Sequence, residues 1–232
     1  LPGLFSNMFS CMESDQEIAV KVCGIMVNLS SAAENKEVMA HSSVLSALTK
    51  ILGDGDSPVD LRSKAAGALW NLSVLSSNRS IMTKPELGLV SSIVDILAAP
   101  EKEDNEMAEV IIKCCVILQN MAGAKECHGD LIAAANGGVP RSLIKQMLTG
   151  SADARMKAFG AIVNLSLTTE SQTALGNAEG AFRALYLMVA DETAGDNRNR
   201  ACGVLHNLSV NAIFRPLIPK QPGLLDTLMT VI

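Results

Sequence analysis

Residues 64–73 read KAAGALWNLS, and four other segments of the chain repeat this pattern without gaps. The related segments are KVCGIMVNLS at 21–30, KCCVILQNMA at 113–122, KAFGAIVNLS at 157–166 and RACGVLHNLS at 200–209. The asparagine of each segment follows the previous one by 43, 49, 44 and 43 residues along the chain. A period of this length is the sequence signature of a protein built from stacked structural repeats.

The composition favours helices as the elements of each repeat. Of the 232 residues, 48% are hydrophobic and only 3% are aromatic, and no stretch shows the apolar–polar alternation of a strand. Apolar residues recur at helical spacing between the repeated segments, for example over 89–98, and glycines such as Gly88 interrupt the pattern. We therefore predict an all-α solenoid with three helices per period of about 44 residues.

The repeated segments resemble the third helix of armadillo repeats, in particular the type found in beta-catenin, plakophilin and the adenomatous polyposis coli protein. The likeness to importin-alpha is weaker. That family has tryptophan four residues before the asparagine, whereas this chain has glycine there in four copies and Val116 in the fifth. The resemblance implies a right-handed α-solenoid of armadillo repeats whose third helices line a concave groove.

The same resemblance divides the chain into repeats of one armadillo domain that covers residues 1–232. We predict partial repeats at 1–30 and 211–232, and four full repeats at 31–75, 76–123, 124–167 and 168–210. Both ends then fall within second helices, which are predicted at Leu4 to Met12 and at Leu224 to Ile232. We therefore expect the chain to be part of a longer protein.

In armadillo proteins, asparagines of the third helix bind the backbone of an extended peptide. The resemblance assigns this role to Asn28, Asn71, Asn120, Asn164 and Asn207. An amide side chain suits it, because it can donate to a peptide carbonyl and accept from a peptide N–H. Under the alternative interpretation, each asparagine bonds the backbone of a neighbouring repeat and only holds the stack together.

A basic residue precedes each asparagine by seven positions: Lys21, Lys64, Lys113, Lys157 and Arg200. Seven helical residues turn through about 700°, so the cation and the asparagine share one face of the helix. We predict that the groove prefers an extended acidic peptide. Helix axes about 8–10 Å apart and an extended chain that rises about 3.3 Å per residue place an acid at about every third ligand residue. Alternatively, the column merely reflects duplication of one ancestral repeat.

The residue before each asparagine varies between repeats, as a specificity-determining rim should. Its members are Val27, Trp70, Gln119, Val163 and His206. We predict that Trp70, Gln119 and His206 contact the ligand, with Trp70 as the binding hot spot, since an aromatic side chain buries much area at low entropic cost. The alternative is that Trp70 belongs to the core. The residues two before and one after each asparagine are predicted to face the core.

The net charge of −5, from 19 basic and 24 acidic side chains, argues against a protein that coats nucleic acid. No signal peptide or membrane span is recognisable, so we expect no direct membrane insertion. The six cysteines lack metal-ligand spacing and fall mostly in apolar helical patterns, which indicates a reducing compartment. We expect a cytoplasmic location, with a nuclear location or recruitment to a membrane as alternatives.

The sequence also lacks the motifs of several other functions. The three histidines lie in different repeats, and we predict no metal site. No nucleophile–base pair or phosphate-binding loop occurs, and we predict no enzymatic activity and no cofactor. The acidic segment EKEDNE at 101–106 is predicted to be a solvated loop, or else an internal competitor that folds against the basic groove.

These features together predict a protein–protein interaction module that binds an extended, acidic partner peptide in the concave groove. The alternative function is a structural scaffold or adaptor. Such a protein would organise an assembly at a membrane, a junction or the cytoskeleton through its convex face or its ends.

Overall fold

The computed structural model describes residues 16–41, 43–100, 106–193 and 195–230. Within these ranges the chain forms fourteen α-helices and no β-strand. The helices are α1 (Gln16–Ser31), α2 (Ala33–Ala40), α3 (Ser43–Gly53), α4 (Val59–Val74), α5 (Ser76–Met82), α6 (Leu89–Ala98), α7 (Ala108–Ala122), α8 (His128–Ala133), α9 (Gly138–Thr149), α10 (Ala152–Leu165), α11 (Thr169–Gly176), α12 (Ala181–Ala190), α13 (Asp196–Val210) and α14 (Leu224–Thr230).

Helices of the same kind stack in layers along the molecule. The five long helices α1, α4, α7, α10 and α13, which we call the ladder helices, each carry one of the repeated asparagines and pack on one another in chain order. Helices α3, α6, α9, α12 and α14 form a second layer. The short helices pack in pairs, α2 on α5 and α8 on α11. The predicted all-α solenoid is confirmed, while the division into four full and two partial repeats stays a prediction.

Two of the sequence predictions fall wholly or partly outside the described residues. The helix predicted at Leu4 to Met12 does, and so does most of the acidic segment at 101–106. No helix in the described ranges combines the length and the apolar character needed to span a bilayer.

The core follows the predicted columns of the ladder helices. The residues two before each asparagine are all buried: Met26, Leu69, Leu118, Ile162 and Leu205. Those one after it are buried too, apart from the half-buried Leu29: Leu72, Met121, Leu165 and Leu208. With few aromatic residues available, aliphatic side chains such as these make up much of the buried core.

Glycines in the left-handed region set the turn into four of the five helices of the second layer. Gly88, Gly137, Gly180 and Gly223 have φ values of 73°, 74°, 78° and 74° and directly precede α6, α9, α12 and α14. Residues with a β-carbon rarely adopt this conformation because the side chain crowds the backbone. These four glycines therefore fix the angle at which the chain enters the second layer.

Alanine at Gly88 should destabilise the fold, whereas alanine at Gly203 should stabilise it. A methyl group at either position meets no atom within 4 Å, so only the backbone conformation differs. The positive φ of Gly88 makes G88A cost about 1 kcal/mol. Gly203 lies inside α13, where G203A should gain up to about 1 kcal/mol because alanine restricts the unfolded chain and favours a helix. Urea denaturation measures both, and equal signs would contradict this account.

Candidate functional site

The repeated asparagines bind the preceding ladder helix through their amide nitrogens. Asn71 Nδ2 donates to Val27 O and to Ser30 Oγ, both at 3.1 Å. Asn120 Nδ2 donates to Ser73 Oγ at 2.9 Å. Asn207 Nδ2 and Ser166 Oγ are 3.0 Å apart in the same arrangement. Asn28, in the first described ladder helix, is exposed. The asparagines therefore do hold neighbouring repeats together.

The serine two residues after the asparagine completes this contact. Ser30 Oγ donates to Val27 O at 2.9 Å, and Ser73 Oγ donates to Trp70 O at 2.7 Å. Each hydroxyl thus accepts from the asparagine of the next repeat and donates to its own helix. The asparagine and the serine of the Asn-Leu-Ser motif therefore both form inter-repeat hydrogen bonds, and the leucine between them packs inwards. The sequence analysis considered this role for the asparagine and missed it for the serine.

One ladder helix lacks the serine, and its neighbour compensates. Helix α7 has Ala122 at this position, and Asn164 Nδ2 donates directly to Gln119 O at 3.0 Å. Without a serine hydroxyl on α7, the Asn164 amide therefore bonds a backbone carbonyl of that helix directly.

Half of each stacking asparagine remains open for another partner. Among the described residues, the Oδ1 atoms of Asn71, Asn120, Asn164 and Asn207 accept no hydrogen bond, and none of them is sealed from solvent. Nδ2 carries two hydrogens, and three of these asparagines use only one. The stacking role and a ligand-binding role are therefore compatible.

The cations of the ladder helices are less free than the sequence analysis predicts. An acidic residue precedes each of them by four positions: Glu17, Asp60, Glu109, Asp153 and Asp196. Three of these form salt bridges, at 2.7 Å for Glu17–Lys21, 2.5 Å for Asp60–Lys64 and 2.7 Å for Glu109–Lys113. This i, i+4 pairing is visible in the sequence and weakens the predicted positive stripe.

Lys113 acts as a clamp between two ladder helices. Its Nζ donates to Ser63 O at 3.0 Å and to Ser63 Oγ at 2.8 Å in addition to Glu109, which uses all three ammonium hydrogens. Its side chain is only 15% exposed. The hydrogen bonds from Lys113 and then from Ser63 hold the pKa of Glu109 below its usual value. We therefore assign Lys113 no contact with a ligand.

The remaining cations differ in their surroundings. Lys157 is exposed and forms no salt bridge or hydrogen bond within the described ranges. Arg200 is half-buried, with its guanidinium 5.5 Å from the centre of the Phe159 ring and Nη1 donating to Asn197 Oδ1 at 3.1 Å. Lys157 is thus the most available of the five.

The variable column is partly exposed, as predicted. Trp70 is 39% exposed, which confirms that it lies outside the core, and His206 is exposed as well. Gln119 is half-buried, and its side chain covers Gly160 of the next ladder helix. A methyl group on Gly160 would be 2.5 Å from Gln119 Nε2. Whether these side chains contact a ligand stays a prediction.

Sequence reasoning missed a row of exposed apolar residues one turn beyond the variable column. Val74, Leu167 and Val210 are 52%, 51% and 62% exposed. Each lies four residues after a member of the variable column. Val74 and Val210 therefore share a helix face with that member, whereas Leu167 follows the end of α10 at Leu165. With Trp70 they form what we call the apolar lip, near the C-terminal ends of the ladder helices. The cations lie near the N-terminal ends.

The cysteines pack in the core instead of forming a reactive site. Cys23, Cys114, Cys115 and Cys127 are buried and unpaired. Burial raises the pKa of the Cys23 thiol to about 11 and that of Cys115 to about 12. Such thiols stay protonated at neutral pH and behave as small apolar groups.

Replacing Ser73 with alanine should destabilise the protein more than the same change at Ser209. Both hydroxyls donate to their own helix at 2.7 Å, but only Ser73 also accepts from an asparagine in the described part of the chain. S73A leaves Asn120 Nδ2 without that acceptor and should cost about 1 kcal/mol, or about 2–4 °C in Tm. Thermal unfolding of both variants tests this, and equal losses would contradict the inter-repeat role.

Comparisons with known proteins support the fold. No protein-family model matches the sequence, and no curated protein matches it. Among solved structures, the designed armadillo repeat protein YIII(Dq)4CqI superposes with a TM-score of 0.76 over 97% of this chain and 90% of its own length, at 20% identity. The designed armadillo repeat protein YIII(Dq.V1)4CPAF, in complex with the peptide (KR)4, superposes with a TM-score of 0.73 over 89% and 82%, at 21% identity.

A third structure, of computationally designed armadillo repeat proteins for modular peptide recognition, has a TM-score of 0.70 over 84% of this chain and 77% of that one, at 21% identity. Structural similarity at identities this low shows the fold alone. The superpositions agree with the layered helices and with the five repeated segments. The chain has the armadillo-repeat fold.

Proposed function

We propose that this protein is an interaction module that binds an extended segment of a partner protein in the groove lined by the ladder helices. The observation that carries the proposal is the row of asparagine Oδ1 atoms left without a partner beside the exposed apolar lip. Each open amide can accept a backbone N–H of an extended chain, whatever its side chains. The similarity to a designed armadillo protein in complex with a peptide supports this reading.

The ligand of that designed protein is the basic peptide (KR)4, so the fold itself does not determine the charge of what binds. In this chain we propose an acidic preference, carried by Lys157 and, to a lesser degree, by Lys21, Lys64 and Arg200. The Lys64–Asp60 pair lies on the helix surface, where an ion pair contributes little to stability. A ligand carboxylate can therefore take the place of Asp60.

The apolar lip adds a second requirement. Side chains of an extended chain point alternately to opposite sides. A segment that crosses the ladder helices therefore directs every second side chain to the apolar lip and the others to the cations. We propose that the preferred ligand alternates apolar and acidic residues, in place of the acid at about every third residue that the helix spacing alone predicts. Trp70 is the main apolar contact, and Gln119 and His206 adjust specificity.

The remaining predictions fit an equilibrium binding function. We propose no catalytic activity, no cofactor and no nucleic-acid ligand. We propose a cytoplasmic location, because the four buried thiols of the described residues form no disulfide and suit a reducing compartment. The alternative function, a scaffold that acts through its convex face or its ends, is an outcome of the experiments below.

A panel of labelled peptides tests the charge preference. An eight-residue peptide of alternating Asp and Leu should bind more tightly than its Asn–Leu counterpart, and (KR)4 should bind most weakly. Because ionic attraction is screened by salt, the Asp–Leu affinity should fall as salt rises, whereas the Asn–Leu affinity should change little. Fluorescence anisotropy measures all three. Tighter binding of (KR)4 would refute the acidic preference.

Two variants test whether the groove is the binding surface. K157E should weaken binding of the Asp–Leu peptide about fivefold at low salt, and W70A about tenfold at any salt. K50E makes the same charge change on α3, in the second layer, and should leave the affinity unchanged. If K157E and W70A both bind like the unaltered protein while circular dichroism shows an intact fold, the groove is not the site and the scaffold function is favoured.

A further inference from the structure

A second polar column closes the C-terminal ends of the ladder helices. The last carbonyls of a helix have no partner within it and need donors from elsewhere. Eight residues after each asparagine, a side chain of the following segment occupies this position: Lys36, Arg79, His128, Gln172 and Arg215.

All five members of this column have a nitrogen within hydrogen-bond distance of those carbonyls. Lys36 Nζ donates to Ser30 O at 2.6 Å, and Gln172 Nε2 donates to Ser166 O at 2.9 Å. His128 Nε2 lies 2.8 Å from Ala122 O. Side chains as different as ammonium, imidazole and carboxamide therefore serve equally as caps, and the capping role does not require an arginine.

Arg79 uses only part of its guanidinium as a cap. Its Nε donates to Ser73 O at 3.1 Å and its Nη2 donates to Val74 O at 3.0 Å. Its Nη1 forms no hydrogen bond or salt bridge with any other residue of the described ranges. Lys36 and His128 are buried, but Arg79 is only half-buried. A partly exposed cation with free N–H groups is left at this end of α4.

The free nitrogen lies beside a gap in the apolar lip. Three residues after the asparagine, Val74 and Val210 are the last residues of α4 and α13, and Leu167 follows α10. The matching residue after α7 is Gly123. A methyl group on Gly123 would lie 3.1 Å from Asn120 O, 3.3 Å from Arg79 Nη1 and 3.8 Å from Asn164 Nδ2.

Asn164 Nδ2 gives one hydrogen to Gln119 O and retains the other. Gly123 itself is exposed. Two N–H donors, one of them charged, thus lie beside an exposed glycine whose nearest acceptor is Asn120 O, which already accepts from the Gly123 N–H at 3.1 Å.

We propose that Arg79 and Asn164 form a carboxylate-binding subsite over Gly123, which takes the side chain of an Asp or Glu in a bound protein segment. Its use by a partner rests on the groove function proposed above. A carboxylate that approaches over the Gly123 α-carbon can accept from the guanidinium and from the amide, and a hydrogen bond between charged groups is stronger than a neutral one. The subsite lies between apolar members of the lip. The ligand side chains that face the lip would therefore be apolar, then acidic at the subsite, then apolar again.

Titration with sodium acetate tests the subsite without a peptide. In ¹H–¹⁵N spectra, acetate should shift the Gly123 backbone amide and the Asn164 side-chain amide more than sodium chloride does at equal ionic strength. R79Q should abolish these shifts while keeping the cap, because Gln172 caps its helix in the same way. G123V, which supplies the residue found at Val74, should abolish them with Arg79 still present. Shifts that persist in both variants, or none in the unaltered protein, would overturn the subsite.

Peptide binding then tests its use. R79Q and G123V should each weaken, about fivefold, binding of an Asp–Leu peptide in which one central Leu is replaced with Asp, so that an acid faces the apolar lip. This is the effect of one partly exposed charged hydrogen bond. R215Q is the matched control: Arg215 caps Ser209 O at 3.3 Å and Val210 O at 3.1 Å, and its loss removes the same charge. If R79Q is no weaker than R215Q, the peptide does not use the subsite. If the peptide does not bind at all while acetate still shifts the Gly123 amide signal, the proposed groove function is refuted and the subsite is supported.

Discussion

The stack depends on two sets of side-chain N–H groups: asparagines that bond the preceding ladder helix, and capping residues that bond the last carbonyls of a ladder helix from the segment that follows it. Apolar packing favours contact between the layers but leaves these helix ends with unpaired carbonyls. Asn71 and Asn120 reach back to the preceding helix, while Lys36 and Arg79 reach its last carbonyls from the following segment. Because these bonds are directional, they fix the register of each ladder helix against its neighbour.

This arrangement also prepares the groove. An asparagine that already bonds the preceding helix has its rotamer set before any ligand arrives, so its remaining amide oxygen points in a defined direction. A preorganised acceptor loses little conformational entropy on binding, which is the main cost that a rigid repeat surface avoids. The Lys113 clamp also holds two ladder helices in place before any ligand arrives. It joins α4 and α7 near their N-terminal ends, away from the asparagines.

The spacing of the repeated segment was enough to predict the layered helices, the core columns and the exposure of Trp70, because these depend on helical periodicity alone. The pairing of Lys64 with Asp60 follows from the same periodicity, but it emerges only when the acidic column is compared along with the basic one. Contacts between repeats are different. Ser63 is 50 residues from Lys113 and Arg79 is 44 from Gly123, and only the packing angle of the helices determines that each pair meets.

Positions that differ between the ladder helices can distinguish one register of a bound peptide from another, whereas identical helices cannot. A stack of identical ladder helices would hold a periodic peptide equally well in several registers, each shifted by one repeat. Helix α7 and the residue after it break that equivalence, since Gln119 covers part of the floor, Ala122 lacks the hydroxyl and Gly123 opens the apolar lip beside Arg79. A ligand with one acid among apolar residues on that side would satisfy a single register. Under the proposed function, the selectivity of the groove would therefore come from the positions where the repeats differ.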